Sequence, residues 1–171
     1  GLKVSHDELI KAQKVGAFDL SNYNDFTAFT IYFYIEDEKK YVARHRFFFF
    51  FFTDYERFRK ENVNIIKWIQ EGLVIDTPGK TVDYDIVEKY IMDDIREYGL
   101  EDVYYDAWNA RDVTKKLNDA FPNVRIVEFS QEMKGMSKPT KAFLKAIEDE
   151  KISDENEVMT WMVPNVESKV D

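Results

Sequence analysis

Partway along the chain the spacing of apolar residues changes, and that change restricts the fold more than any single motif does. Up to Phe52 the apolar runs are short, rich in β-branched and aromatic residues, and joined by turns. Val15 to Leu20 is followed by the polar Ser21-Asn22-Tyr23-Asn24, then Thr27 to Ile35, the charged Glu36-Asp37-Glu38-Lys39-Lys40, and a run from Tyr41. Strands joined this tightly pair antiparallel. Beyond the turn Thr77-Pro78-Gly79-Lys80 the pattern alternates. Val87, Ile91, Ile95 and Tyr98 recur at helical spacing behind Asp83, and Gly99 stops them. Val103-Tyr104-Tyr105 is a short strand. Val113, Leu117 and Ala120 mark the inner face of another helix before Pro122, and Val124 to Phe129 is a further strand. Helices between strands are the crossovers that parallel pairing needs. The expected fold class is α/β: a mixed sheet, antiparallel meander plus parallel βαβ strands, with helices on both faces.

The other segments follow from weaker signals. Leu2 to Lys14 reads as helical or irregular, with a weak face of Leu9, Ile10 and Gln13. Tyr55 to Gln70 reads as one or two short helices with Trp68 and Ile69 inward, Leu73-Val74-Ile75 as a short strand, and Lys141 to Glu150 as a helix. The tail carries Val158, Met159, Trp161 and Met162. Phe47 to Phe52 is an unbroken run of six phenylalanines with no periodicity of its own. A strand buried on both sides, its last rings under a loop, accounts for it; exposed, it would be an aggregation hazard or a docking patch.

Composition narrows function by exclusion. A chain of 171 residues suits one domain with a substantial core. Apolar residues at 44% and aromatics at 16% exclude a disordered chain. No apolar run reaches the length of a membrane span, and the first residues lack a signal-peptide profile. With no cysteine, disulfides and thiolate metal sites are absent, and cytosol is the default compartment. His6 and His45 are the only histidines, so zinc or a histidine-based triad is poorly supplied. A metal here would be a hard cation on carboxylate oxygens. The net charge of −9 weighs mildly against a nucleic-acid partner, although a site built from several Asp residues itself contributes to that total.

The first strand and the strand after the long helix both end on a carboxylate, Asp19 and Asp106. If these strands pair in parallel, both acids reach one edge of the sheet, where sites form in βαβ architectures. Two carboxylates that close raise each other's pKa unless a cation lies between them. Mg²⁺ or Mn²⁺ would satisfy the pair, and two such ions about 4 Å apart serve in-line phosphoryl hydrolysis. Asp19 also reads as an ordinary turn residue, and Asp106 as a helix N-cap ahead of Ala107-Trp108-Asn109-Ala110.

Several motifs occur together and in order. They are Phe18-Asp19-Leu20-Ser21; Asp25 with Thr27-Ala28; Thr77-Pro78-Gly79 before Val82-Asp83-Tyr84-Asp85; and Tyr105-Asp106-Ala107-Trp108-Asn109-Ala110. Met136-Ser137-Lys138-Pro139-Thr140-Lys141 follows, then Trp161-Met162 ahead of Asn165-Val166 and Lys169. Across nearly its whole length the chain resembles the C-terminal nuclease domain of the large terminase subunit of tailed bacteriophages, the motor that packages and cuts phage DNA. The resemblance implies a ribonuclease H-like fold and a metal-dependent endonuclease that cleaves concatemeric double-stranded DNA by two-metal phosphodiester hydrolysis. It implies Mg²⁺ or Mn²⁺ as cofactor, with Asp19, Asp106 and Asp171 as catalytic metal ligands. Asp154 and Glu155 are alternatives for the third acid, and Asp83 reads as a helix N-cap. The partners implied are DNA, an N-terminal ATPase domain, the portal and the small terminase subunit, with no membrane, in the host bacterial cytoplasm. On this reading residues 1–171 are a single nuclease domain, with 1–14 the remnant of a linker from the ATPase domain.

The sequence departs from that pattern in places. It holds no G-x-x-x-x-G-K-[ST] P-loop, and the phenylalanine run falls where the family alternates apolar and polar residues. Its acidic total leaves DNA contact to local clusters: Arg44 with Arg46; Arg111 with Lys115 and Lys116; and Lys134, Lys138, Lys141 and Lys145. Lys134, Lys138 and Lys141 are the preferred phosphate contacts, although for each cluster taken singly a solvated helix face is the more common explanation. Rival readings are another ribonuclease H-like nuclease, such as a resolvase, and a non-catalytic domain that docks on the portal.

Overall fold

The computed structural model describes residues 4–20, 27–49, 70, 72, 74–77, 82–106, 109–128 and 166–169. Helix α1 (His6–Lys11) leads into β1 (Gln13–Asp19), β2 (Thr27–Ile35), β3 (Lys40–Phe49) and β4 (Val74–Asp76). Helix α2 (Tyr84–Tyr98), β5 (Asp102–Tyr105), helix α3 (Arg111–Ala120), β6 (Arg125–Glu128) and β7 (Val166–Lys169) follow. The sheet has the order β4-β3-β2-β1-β5-β6, with β7 also paired to β3. Strands β1, β2 and β3 form the antiparallel meander, and β5 and β6 add in parallel beyond β1. The mixed sheet expected from the change in spacing is therefore present. β7 was not among the expected strands. The expected helices within 55–69 and 141–150, and the apolar tail at 158–162, lie outside the described residues.

Local chemistry sets the element ends. α1 starts on a capping box, with Glu8 N–H donating to Ser5 Oγ and Ser5 N–H to the Glu8 carboxylate. Asp83 caps α2 by accepting from Asp85 N–H at 2.9 Å, as its position suggested. Gly99 ends that helix at φ 63°, a conformation glycine adopts without a Cβ clash.

One face of the sheet carries Phe18, Phe29, Ile31, Phe33, Val42 and Phe48. Against it α1 lays Leu9, α2 lays Val87, Ile91, Ile95 and Tyr98, and α3 lays Val113 and Leu117. Burying each large apolar side chain contributes about 1.5–3 kcal/mol. Gly16 permits this close packing, since a Cβ there would lie 3.1 Å from the Phe29 ring and 3.2 Å from Leu100 and would press on both side chains. Ala120 is exposed, contrary to expectation. The inner face of α3 continues at the half-buried Phe121, four residues after Leu117, rather than three.

A polar link crosses the same layer. Arg46 on β3 donates from Nε and Nη2 to Asp94 on α2 at 2.6 and 2.9 Å, and its guanidinium lies over the Tyr90 ring. Arg44 bonds the Tyr98 hydroxyl. The Arg44 and Arg46 cluster thus ties sheet to helix.

The opposite face is also buried, through Val15, Thr30, Tyr32, Ala43, Phe47, Val74 and Tyr104. The helices described all pack on the first face. Phe47 and Phe48 are buried on opposite faces, as the two-sided reading of the phenylalanine run required; Phe50 to Phe52 lie outside the described residues. No helix among the described residues is long and apolar enough to cross a membrane.

His45 sits within this second face, its Nδ1 2.9 Å from Thr30 Oγ1 and its ring stacked on Phe47. Burial lowers its pKa from 6.5 to about 4. The unfolded chain therefore takes up a proton that the folded chain refuses, so the stability from neutral His45 is complete above pH 6.5 and lost as pH falls toward 4. At ~1.4 kcal/mol per pH unit the loss reaches roughly 3 kcal/mol. Burial raises the carboxyl pKa of Asp76 and Glu88, which acts in the opposite sense but equally in wild type and variant. Urea unfolding at pH 7 and pH 5 should show His45→Gln losing markedly less stability on acidification than wild type. Parallel losses in the two proteins would contradict this.

Candidate functional site

The two acids that end strands are brought together by strand register. β1 and β5 pair in parallel with Gly16 opposite Val103, Ala17 opposite Tyr104 and Phe18 opposite Tyr105. Asp19 closes β1 and Asp106 directly follows β5. Continuing the pairing by one residue sets them side by side, at the strand spacing of about 4.8 Å. Phe18 and Tyr105 stack on the helix face with ring centroids 5.6 Å apart, so alternation turns Asp19, the last residue of β1, to the other face. On the β2 side Asp19 is in register with the small Ala28. The pair stands where the antiparallel part of the sheet meets the parallel part, at the carboxyl ends of the parallel strands.

Asp76, at the end of β4, reaches the same edge but is separated from β1 by β2 and β3. Glu128 ends β6 beside Tyr105; burial, and secondly the Glu128 carboxylate, raise the Tyr105 hydroxyl pKa. Among the described residues no three His, Asp or Glu side chains gather into a cage for a metal ion. Two adjacent carboxylates nevertheless fit a hard cation such as Mg²⁺, which commonly takes one or two carboxylates and completes its shell with water and substrate phosphate.

The segment after Asp106 is held by side chains that sequence reading did not single out. α3 begins at Arg111, with Ala110 as its N-cap and no side-chain cap bond. Asp106 is therefore not the cap of that helix, and one of its two structural readings falls. Asn109 adopts φ 52° and donates from Nδ2 to the Tyr84 hydroxyl at 3.1 Å. Asp83 N–H donates to the buried Thr77 Oγ1 at 3.2 Å, tying the start of α2 to the end of β4. Lys116 bonds Asp85 at 3.1 Å and the buried Glu88 at 3.2 Å, which clamps α3 to α2. Lys116, one of the cations considered for DNA contact, is thus held between two carboxylates.

Asp171, Asp154, Glu155, Lys134, Lys138 and Lys141 lie outside the described residues. β7 runs antiparallel to β3, from Val166 beside Ala43 to Lys169 beside Lys40. Asp19 is in register with Ala28 and, through it, with Phe47 near the other end of β3. The chain leading to Asp171 is therefore heading away from the Asp19 edge at Lys169.

Comparison with known proteins gives one consistent result. The family described as "Terminase large subunit, endonuclease domain" matches residues 11–171. Over 118 residues the chain is 32% identical to the "Terminase, large subunit" of Enterobacteria phage HK97, an alignment taking in 69% of this chain and 23% of that protein. The crystal structure of the HK97 bacteriophage large terminase is similar with a TM-score of 0.60 at 25% identity, over 85% of this chain and 32% of that one. The matched part of the chain thus spans 23% to 32% of these relatives' length.

The absence of natural cysteines allows a clean test of the register. The double variant Asp19→Cys/Asp106→Cys should close a disulfide under mild oxidation, because Cα atoms across adjacent strands fall within the usual span of about 4.4–6.8 Å. Asp76→Cys/Asp106→Cys should stay reduced. A reversed result, read as a mobility shift on non-reducing gels, would contradict the pairing.

Proposed function

The chain belongs to the endonuclease-domain family of the terminase large subunit, and on that premise we propose that it cuts concatemeric double-stranded phage DNA by hydrolysing phosphodiester bonds with Mg²⁺ or Mn²⁺. The observation that carries this reading is the in-register pairing of β1 with β5, which delivers Asp19 and Asp106 to one point of the sheet edge. In the reaction water displaces one ester oxygen at phosphorus. A pair of divalent cations supplies the positive charge that draws in the phosphate and stabilises the transition state. Asp19 and Asp106 hold that charge in place. The stacked Phe18 and Tyr105 beneath them fix where their backbones end, and the buried sheet makes the mount rigid.

The third ligand is a separate matter. The family resemblance puts it at Asp171, while the direction of β7 weighs against that choice, so Asp154 and Glu155 are tested beside it. Lys134, Lys138 and Lys141 are assigned to the phosphate backbone, where contacts position a duplex without reading its sequence. Since Arg46 and Lys116 are held by carboxylates within the fold, these lysines gain weight as DNA contacts. By the same family membership the domain works with an ATPase domain, the portal and the small terminase subunit, in the cytoplasm of an infected bacterium.

With Mn²⁺ or Mg²⁺ the chain should nick and linearise plasmid DNA with little sequence preference, and Asp19→Asn or Asp106→Asn should each abolish cutting while leaving the far-UV spectrum unchanged. Wild-type cleavage by either variant would rule out these ligands. Absence of both cleavage and metal-induced thermal stabilisation in the unaltered chain would favour the docking-domain reading. Among Asp171→Ala, Asp154→Ala and Glu155→Ala, the variant that loses Mn²⁺-dependent nicking identifies the third acid.

A further inference from the structure

Two motifs remain that the metal ligands do not explain: Val82-Asp83-Tyr84-Asp85 and the residues following Asp106. The structure joins them. Tyr84 is the first residue of α2, and its backbone is held on both sides. Asp83 before it is bonded to Thr77 and to Asp85 N–H, and Asp85 after it is bonded to Lys116. The helix start that carries Tyr84 is therefore anchored, and the Tyr84 hydroxyl accepts the hydrogen bond from Asn109 Nδ2.

Asn109 stands three residues after Asp106 and one before the buried Ala110. Its φ of 52° is in the left-handed region, which costs most side chains roughly 1–2 kcal/mol and which Asn tolerates better than most. Such a conformation persists where its surroundings hold it. Here the surroundings are the Tyr84 bond on one side and Ala110 on the other, since α3 has no side-chain cap of its own. Asp106 thus stands between two anchored positions, one residue after the Phe18–Tyr105 pair and three residues before Asn109. An exposed neutral hydrogen bond adds little net stability, about 1 kcal/mol, so its main effect is on geometry.

We infer that Asn109 and Tyr84 are positioning residues for Asp106: their hydrogen bond and the left-handed turn at Asn109 hold the Asp106 carboxylate beside Asp19. This rests on the reading of Asp19 and Asp106 as metal ligands. Neither Asn109 nor Tyr84 is a ligand. They act by narrowing the range of positions Asp106 samples, which lowers the ordering cost of closing two carboxylates on one cation.

The test is Mn²⁺ affinity, read as the free-Mn²⁺ signal in electron paramagnetic resonance, beside the melting temperature of each metal-free protein. Tyr84→Phe removes only the hydroxyl; Asn109→Gly removes the amide but keeps the turn accessible; Asn109→Ala removes both. Tyr84→Phe and Asn109→Gly should each weaken Mn²⁺ binding by roughly three- to tenfold, at or below the loss seen for groups bonded directly to a metal ligand. Their metal-free melting temperatures should stay within about 3 °C of wild type. The double variant Tyr84→Phe/Asn109→Gly should be no weaker than the worse single variant, because both remove the same bond. Asn109→Ala should be weaker than Asn109→Gly. Unchanged Mn²⁺ affinity in Tyr84→Phe and Asn109→Gly, whatever their melting temperatures, would reduce the bond to a structural tie and overturn the inference. Asp19→Asn distinguishes the two levels: if it too leaves Mn²⁺ binding unchanged, the metal-site reading falls and takes the inference with it.

Discussion

Backbone hydrogen bonding between β1 and β5 brings Asp19 and Asp106 to one edge of the sheet, and the proposed site follows from that constraint. The parallel ladder between β1 and β5 leaves Asp19 and Asp106 at adjacent positions whatever their charges prefer. A fold can sustain that pair if the ladder is strongly held, and here it is. Phe18 and Tyr105 stack directly beneath, Gly16 lets Phe29 and Leu100 close over β1, and three helices bury that face.

Helix α2 is the element that connects this edge to the rest of the domain. Its apolar stripe packs on the sheet, Asp94 takes Arg46 from β3, and Tyr98 takes Arg44. At its N-terminus Glu88 and Asp85 take Lys116 from α3, and Tyr84 takes Asn109 from the chain that follows Asp106. A chain with a net charge of −9 can hold cations inside its own fold in this way. On the proposed function, Arg46 and Lys116 are thereby committed to the fold, and the DNA contact is assigned to Lys134, Lys138 and Lys141.

Much of this arrangement was legible in the sequence because it rests on local rules. The meander shows in strand-length apolar runs joined by polar turns, α2 in its apolar spacing between Asp83 and Gly99, and the parallel neighbours β1 and β5 in two strands that each run into an Asp. What was not legible depends on tertiary packing. Asp106 could be read as a helix cap because Asp before a helical stretch usually is one; the helix in fact starts at Arg111 with an uncapped Ala110. Ala120 looked inward by periodicity, yet the apolar face passes through Phe121 instead. β7 was missed because Val166 to Lys169 has a single apolar residue and draws its strand conformation from pairing with β3. Arg46 and Lys116 looked like solvated or DNA-facing cations because nothing local reveals a carboxylate on another helix or strand. The third acid depends on residues distant in sequence from both Asp19 and Asp106, and only the direction of β7 bears on it.

The central claim is that Asp19 and Asp106 jointly hold a divalent cation. Anomalous diffraction from crystals of the unaltered protein soaked in Mn²⁺ measures this directly. A manganese peak about 2 Å from a carboxylate oxygen of both Asp19 and Asp106 is the predicted result. Manganese bound elsewhere, with the two carboxylates turned away from one another at a site that takes up no metal, would contradict it.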